Sequence, residues 1–146
     1  MATTWILVAN ASGAKIYANR GINKGLEKQG EFSHPDSRKK SSDLVTDRAG
    51  HMQSVGNGHG ARQPATDPKQ SAHENFARRL AQYLDQSRAA NMYQRLVLVA
   101  EPHFRGLINS ALGSQVRGLI SGAIDKDYTK VTDRELAGHL GRYILI

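Results

Sequence analysis

Several residue types are absent or scarce in this 146-residue chain, and each absence excludes a class of protein. There is no cysteine, which excludes disulfides, thiolate zinc sites and a cysteine nucleophile, and which fits a reducing compartment. No apolar run approaches the roughly 18 residues that a membrane-spanning helix requires. The chain begins without a basic stretch, and its apolar run at residues 5–9 is too short for a secretory signal. We therefore expect a cytoplasmic protein that makes no membrane contact.

Positive charge is the most pronounced feature of the composition. The chain has twenty Lys and Arg residues and thirteen Asp and Glu residues, which gives a net charge of +7 and a pI near 9.9. This excess favours a polyanionic partner such as RNA, DNA or an acidic surface, although it would also serve solubility alone. The length predicts one domain, residues 1–146.

The first third of the sequence is typical of β-strands. Residues 4–9 are apolar and β-branched, residues 14–19 alternate in polarity, and residues 26–34 carry a weaker third strand. Glycine- and asparagine-rich turns separate them. These patterns predict an antiparallel meander.

The second half of the sequence alternates helix and strand. Asp67, Pro68 and Gln70 have the spacing of a helix start, and the helix is expected to run to about residue 87. Its predicted apolar face consists of Phe76, Leu80, Tyr83 and Leu84.

A strand, a helix, an edge strand and a last helix complete the predicted order. The strand at residues 95–102 is apolar on both faces, Gly113 is a candidate stop for the next helix, and residues 116–124 form a candidate edge strand. Thr132 and Glu135 have capping-box spacing. The face predicted for the last helix consists of Leu136, Leu140 and Tyr143. The sequence thus predicts an α/β fold with one mixed β-sheet, an N-terminal antiparallel meander followed by α-β-α-β-α, flanked by helices.

Residues 35–66 differ in composition and are predicted to form a long, flexible, basic, glycine-rich loop within the domain. Large apolar residues are scarce here, and loops of this length in a compact domain are usually functional or disordered. Gly56, Gly58 and Gly60 would let the backbone approach a phosphate or an ester closely. The segment matches neither a P-loop nor a dinucleotide-binding fingerprint. Either it orders against a large partner or it is a solvated surface loop.

Seven basic residues are candidates for a nucleic-acid-binding face that contacts phosphates. The alternative is scattered, solvated charge. Aromatic residues do not interleave with them, so sequence-specific readout is not expected. The seven are Arg38, Lys39, Lys40, Arg48, Arg62, Arg78 and Arg79.

Four histidines in or near the loop raise the alternative of a metal-dependent hydrolase. They are His34, His51, His59 and His73, and their spacing matches no zinc template. We therefore expect no metal and no cofactor.

Several segments together resemble a bacterial family described as proteins required for attachment to host cells. They are TWILVANASGAKIY, FSHPDSRKKSSDLVTDRAG, TDPKQSAHENFARRLAQYL, LVLVAEPHFRGLI and IDKDYTKVTDREL. That family is similar to the middle domain of archaeo-eukaryotic peptide-chain release factors, where a basic loop with a Gly-Gly-Gln tip precedes a long helix and a buried strand. Here GNGHGARQ precedes NFARRL and then LVLVA, but Ala61 and Arg62 separate Gly60 from Gln63.

The resemblance implies a release-factor-like domain that binds RNA or the ribosome, with rRNA or tRNA as the partner. By analogy, Gly58 and Gly60 would allow close backbone approach, and Gln63 would position a water against the peptidyl-tRNA ester. Such a protein would assist peptidyl-tRNA hydrolysis or ribosome rescue, and whether it is an enzyme stays open. The alternative implied by the family description is an interaction protein that acts in attachment to host cells or surfaces without catalysis.

Overall fold

A computed structural model describes residues 2–34 and 68–146 of the chain. Its strands are β1 (Thr4–Asn10), β2 (Gly13–Asn19), β3 (Glu27–Ser33), β4 (Arg95–Val99) and β5 (Ile120–Ile124). Its described helices are α1 (Pro68–Ala89), α2 (Pro102–Ala111), α3 (Ser114–Arg117) and α4 (Asp133–Leu140).

The five described strands form one mixed sheet in the order β3-β2-β1-β4-β5. β2 pairs antiparallel with both β1 and β3, whereas β4 pairs parallel with β1 and β5 pairs parallel with β4. β3, β1, β4 and β5 therefore run in one direction and β2 runs in the other. The predicted α/β fold with a mixed sheet and an N-terminal meander is confirmed.

Helices cover both faces of the sheet because its central strands are apolar on both sides. On one face, Trp5 and Leu7 of β1 pack with Phe76 of α1 and Ile108 of α2. On the other face, Ile6, Val8 and Val97 pack with two leucines of α4, Leu136 and Leu140. The result is a helix–sheet–helix arrangement with two apolar layers.

The capping box predicted for the last helix is confirmed. The Thr132 hydroxyl accepts a hydrogen bond from the Glu135 backbone N–H at 3.2 Å, and the Glu135 carboxylate accepts one from the Thr132 backbone N–H at 3.3 Å. These bonds satisfy backbone donors that a helix start leaves unpaired, and so they fix where α4 begins. The predicted cap at Asp67 lies outside the described residues.

Three local predictions need correction. The strand expected over residues 116–124 begins at Ile120, because α3 occupies the residues before it. α2 ends near Gly113 as expected, but Gly113 is extended (φ −75°, ψ 165°), so no left-handed stop is present. Tyr143 lies beyond the end of α4 and is 51% exposed, since Ile144 and Ile146 pack against that layer instead.

Candidate nucleic-acid interface

Four strands end at the same edge of the sheet, which we call the carboxyl edge. Because β3, β1, β4 and β5 run in one direction, Ser33, Asn10, Val99 and Ile124 all lie at this edge. In open α/β sheets, ligands bind outside the carboxyl ends of the parallel strands. The topology therefore makes the carboxyl edge the first place to look for a site.

Both ends of residues 35–67 join the body of the protein at the carboxyl edge. On one side, His34 follows β3, and its backbone N–H donates to the Ser12 carbonyl at 2.9 Å. On the other side, α1 starts at Pro68 and leads into the start of β4, so its first turn lies at the carboxyl edge and its last turn at the opposite one. The segment with most of the predicted site residues is thus attached where the strand ends converge.

A cluster of side chains fixes the end of β3 to α1, and we call it the root cluster: Phe32, Ser33, His34, Phe76 and Arg79. The His34 ring stacks on Phe76, with ring centroids 4.9 Å apart and planes 9° apart. The Arg79 guanidinium lies 5.7 Å from the Phe32 ring centroid and 5.9 Å from that of Phe76, and it donates to the Ser33 carbonyl at 3.2 Å. Within the described residues, the buried Nε2 of His34 has no hydrogen-bond partner.

The root cluster predicts different costs for two adjacent arginines. Arg79→Ala should lower the free energy of unfolding by about 1 kcal/mol, because it removes both the cation–π contacts and the bond to Ser33. Arg78→Ala is the matched control, because Arg78 is also exposed but donates to Asn75 on its own helix. It should cost no more than about 0.5 kcal/mol. Urea unfolding measures both values, and equal costs would contradict the role of Arg79 in the root cluster.

A cavity of about 460 Å³ opens at the carboxyl edge between the β1–β2 turn, the end of β3 and the segment after β5. Lys15, Lys130, Ser12, Ser33 and Thr129 are among its lining residues. No described acidic residue forms an ion pair with Lys15 or Lys130, whereas the lining residue Glu31 pairs with Lys28 at 2.6 Å. The cavity therefore presents two cationic side chains together with hydroxyl groups, a combination that suits phosphate oxygens.

A hydrogen-bond network forms one side of this cavity. The Asn10 amide donates to Asp127 at 3.1 Å and to the Thr129 hydroxyl at 2.9 Å, and its carbonyl oxygen accepts from the backbone N–H groups of Ser12 and Gly13. Partial burial raises the pKa of Asp127, but hydrogen bonds from Thr129 and Asn10 outweigh burial and lower the pKa. The ionised carboxylate thus ties the β1–β2 turn to the segment after β5.

The structure describes two of the predicted nucleic-acid-binding residues, and both lie on α1. Arg78 and Arg79 are exposed neighbours, but Arg79 is engaged in the root cluster. The other predicted site residues lie outside the described part of the chain: Arg38, Lys39, Lys40, Arg48, Arg62, Gly58, Gly60 and Gln63.

The histidines considered for metal binding divide in the same way. His34 belongs to the root cluster and His73 lies on α1, whereas His51 and His59 fall outside the described residues. Among residues 2–34 and 68–146, no group of three or more His, Cys, Asp or Glu side chains could hold a metal ion.

Sequence reasoning missed Asn10, Lys15, Asp127, Thr129 and Lys130. Asn10 and Thr129 are 119 positions apart, and only the strand order brings them together. One available signal was the polar stretch DKDYTK directly after a predicted strand, because residues after parallel strands gather at the carboxyl edge.

Comparison with known proteins decides the family. The family model described as "Protein required for attachment to host cells" matches residues 5–140. The chain belongs to this family. No curated protein matches this member of the host-attachment family. In the described part of the chain, no helix has both the length and the apolar character needed to cross a bilayer.

The fold of this host-attachment protein is found in a solved structure. It is similar to the crystal structure of the archaeal translation termination factor aRF1, with a TM-score of 0.51, 8% identity and 96% of this chain covered. It spans 38% of the length of that factor. A second archaeal protein is similar at a TM-score of 0.46 and 9% identity, over 96% of this chain and 37% of the other. Such low identity concerns the fold alone, and at that level the predicted likeness to a release factor is confirmed.

Proposed function

We propose that this host-attachment protein is a cytoplasmic RNA-binding module of the release-factor type, which presents residues 35–67 to the ribosome. One observation carries the proposal: both ends of that segment join the body at the carboxyl edge, and the root cluster fixes the first of them. A rigid base at the carboxyl ends of parallel strands suits a segment that meets a large ligand.

The chemistry of the carboxyl edge supports a polyanionic partner. Lys15 and Lys130 line the cavity without described ion-pair partners, and Arg78 is exposed on α1. In the proposed mode, phosphates are contacted by these residues and by Arg38, Lys39, Lys40, Arg48 and Arg62 of the attached segment. The fold likeness to a translation termination factor supports rRNA or tRNA as that partner.

In this proposal any catalysis works by positioning. Gly58 and Gly60 would permit close backbone approach to the peptidyl-tRNA ester, and Gln63 would orient the attacking water. The water attacks the ester carbonyl carbon and the bond to the tRNA ribose oxygen breaks. That oxygen takes up a proton from the water, and the released peptide carries a carboxylate. This chemistry requires neither a metal nor an activated side-chain nucleophile.

Replacing residues 56–63 with a Gly/Ser linker of equal length should lower ribosome affinity at least tenfold, because it removes Arg62 and the residues proposed to contact the ester. Co-sedimentation with purified ribosomes measures affinity, and release of labelled peptide from stalled complexes measures hydrolysis. Gln63→Ala is the matched control, which should keep binding and lose release. Wild-type protein that stays in the supernatant at low salt would refute the ribosome proposal.

The family description favours a second candidate, in which the chain acts in attachment to host cells or surfaces without catalysis. Cell fractionation separates the two candidates. Co-sedimentation with ribosomes would support the RNA-binding module, whereas material found mainly at the cell surface would support direct attachment.

A further inference from the structure

Most of the net positive charge lies outside residues 35–67. That segment contains five of the twenty Lys and Arg residues and four of the thirteen Asp and Glu residues, so its net charge is +1. The remaining residues carry fifteen cationic against nine acidic side chains, a net charge of +6. A polyanion-binding surface is therefore to be sought on the folded body as well.

The excess is concentrated at the end of the sheet opposite the carboxyl edge, which we call the amino edge. Six cationic residues lie in the turns, element ends and tail found there: Arg20, Lys24, Arg88, Arg95, Arg117 and Arg142. Two acidic residues balance part of this charge, Glu27 at 3.5 Å from Arg20 and Asp85 at 3.2 Å from Arg88. Within residues 2–34 and 68–146, the other four cations form no ion pair.

A groove of about 480 Å³ opens at the amino edge between the end of α1 and the region of α3. Arg88, Asn91, Gln94, Ser114 and Gln115 provide its polar lining, and no acidic residue lines it. Two exposed arginines lie at the same edge: Arg117 precedes the lining residue Gly118, whereas Arg95 follows Gln94 and lines a separate cavity with Asn19 and Ile146. Arginine, amide and hydroxyl side chains are the groups that contact nucleic-acid phosphates and sugars.

The α1–β4 turn that forms one wall of this groove is internally braced. Asn91 takes a left-handed conformation (φ 60°), and its side-chain oxygen accepts from the Gln94 amide at 3.3 Å. The Gln94 side-chain oxygen accepts in turn from the Thr3 backbone N–H at 2.7 Å. A pre-ordered wall loses little conformational entropy when a ligand binds.

We propose that the amino edge binds the phosphate backbone of a nucleic acid, through Arg95, Arg117 and the amide-lined groove. This goes beyond the proposed function, which uses the opposite edge. The 22 residues of α1 separate the two edges by about 30 Å. A protein with both surfaces contacts RNA at two separate places.

The lining favours a phosphate backbone over an acidic protein segment. A bound peptide needs an apolar anchor in a pocket, but Leu119 is the single aliphatic lining residue. Tyr93 also lines the groove, but it is buried and its hydroxyl donates to the Leu84 carbonyl at 2.7 Å. Because no exposed aromatic ring lines the groove, the proposed contact is made to the backbone and does not involve base stacking.

The test compares two double variants of the full chain that remove equal charge. Arg95→Gln with Arg117→Gln should lower the slope of log affinity against log salt by about two, and weaken binding at about 100 mM KCl at least tenfold. The control is Lys126→Gln with Arg134→Gln, two exposed residues away from the amino edge that form no ion pair within the described chain. It should change the slope by less than half as much. The probe is a labelled RNA duplex of about 20 base pairs, followed by fluorescence anisotropy.

Three outcomes would overturn the proposal: an unchanged slope in the Arg95/Arg117 variant, an equal loss in the control, or loss of polyglutamate binding with RNA binding intact. The last would assign the surface to an acidic protein. The same RNA-binding measurement on the variant with a Gly/Ser linker at residues 56–63 distinguishes this inference from the proposed function. That variant should retain the salt dependence that depends on Arg95 and Arg117, even if it no longer binds ribosomes.

Discussion

Phe76→Ala should lower the free energy of unfolding by about 3–5 kcal/mol, the largest effect that we expect of a single substitution here. Phe76 is fully buried between the sheet and α2, where its ring stacks on Phe104 with centroids 5.9 Å apart. It also supports His34 and Arg79, so the variant leaves a cavity and removes the centre of the root cluster. Urea unfolding should give a lower midpoint with an unchanged m-value.

Phe104→Ala is the matched control for the loss of the root cluster. Phe104 is also buried and stacks on Phe76, but it belongs to α2 and makes no ring contact with His34. Both variants should be destabilised, whereas only Phe76→Ala should change the NMR signals of His34 under conditions where the protein stays folded. A cost below about 1 kcal/mol for Phe76→Ala, or equal changes at His34 in both variants, would contradict this account.

The elements that could be predicted are those with a strong local signal. β4 was found because residues 96–100 are apolar at every position, and α4 was found because Thr132 and Glu135 form a capping box. α3 was missed because its four residues are too few for a helical period and are followed by a strand. Tyr143 was misplaced because the apolar period continues past Leu140, while the chain leaves the helix at Gly141.

The candidate surfaces could be predicted less well than the fold, for a physical reason. Arg79 contacts Ser33 across 46 positions, and Asn10 contacts Asp127 across 117. Such contacts follow from strand order and from the direction of α1, which no short pattern contains. The same holds for the excess of positive charge. Its size follows from the composition, but only the topology places six cations at the amino edge.

Above about pH 10 the protein should lose stability, because two buried tyrosines remain protonated in the folded state. Burial raises the pKa of Tyr93 to about 12, where Arg88 lowers it slightly and Asp85 raises it. Burial, the hydrogen bond to Asp133 and the negative charge of Asp133 raise the pKa of Tyr17 still further; its hydroxyl donates to that carboxylate at 2.5 Å. In the unfolded chain both phenols release their protons near pH 10.

The sign follows from proton binding. Above pH 10 the folded state holds protons that the unfolded state has released, so the free energy of unfolding falls as pH rises. For Tyr93 alone, the rise of the pKa from near 10 to about 12 corresponds to about 2–3 kcal/mol, lost as the pH approaches the folded-state pKa. Urea unfolding across this pH range measures the loss, and phenolate absorbance should increase together with unfolding.

Tyr93→Phe separates the tyrosine contribution from general alkaline effects. At neutral pH it should cost about 1 kcal/mol, because the bond to the Leu84 carbonyl is lost. This loss in the free energy of unfolding should shrink with rising pH and reverse near pH 11, because phenylalanine has no proton to release.

Asp133→Asn tests the Tyr17 contribution. It keeps an acceptor for the Tyr17 hydroxyl but removes the negative charge, so it should also make the alkaline loss of stability shallower. Parallel pH curves for wild type and Tyr93→Phe would show that the Tyr93 phenol does not govern alkaline stability.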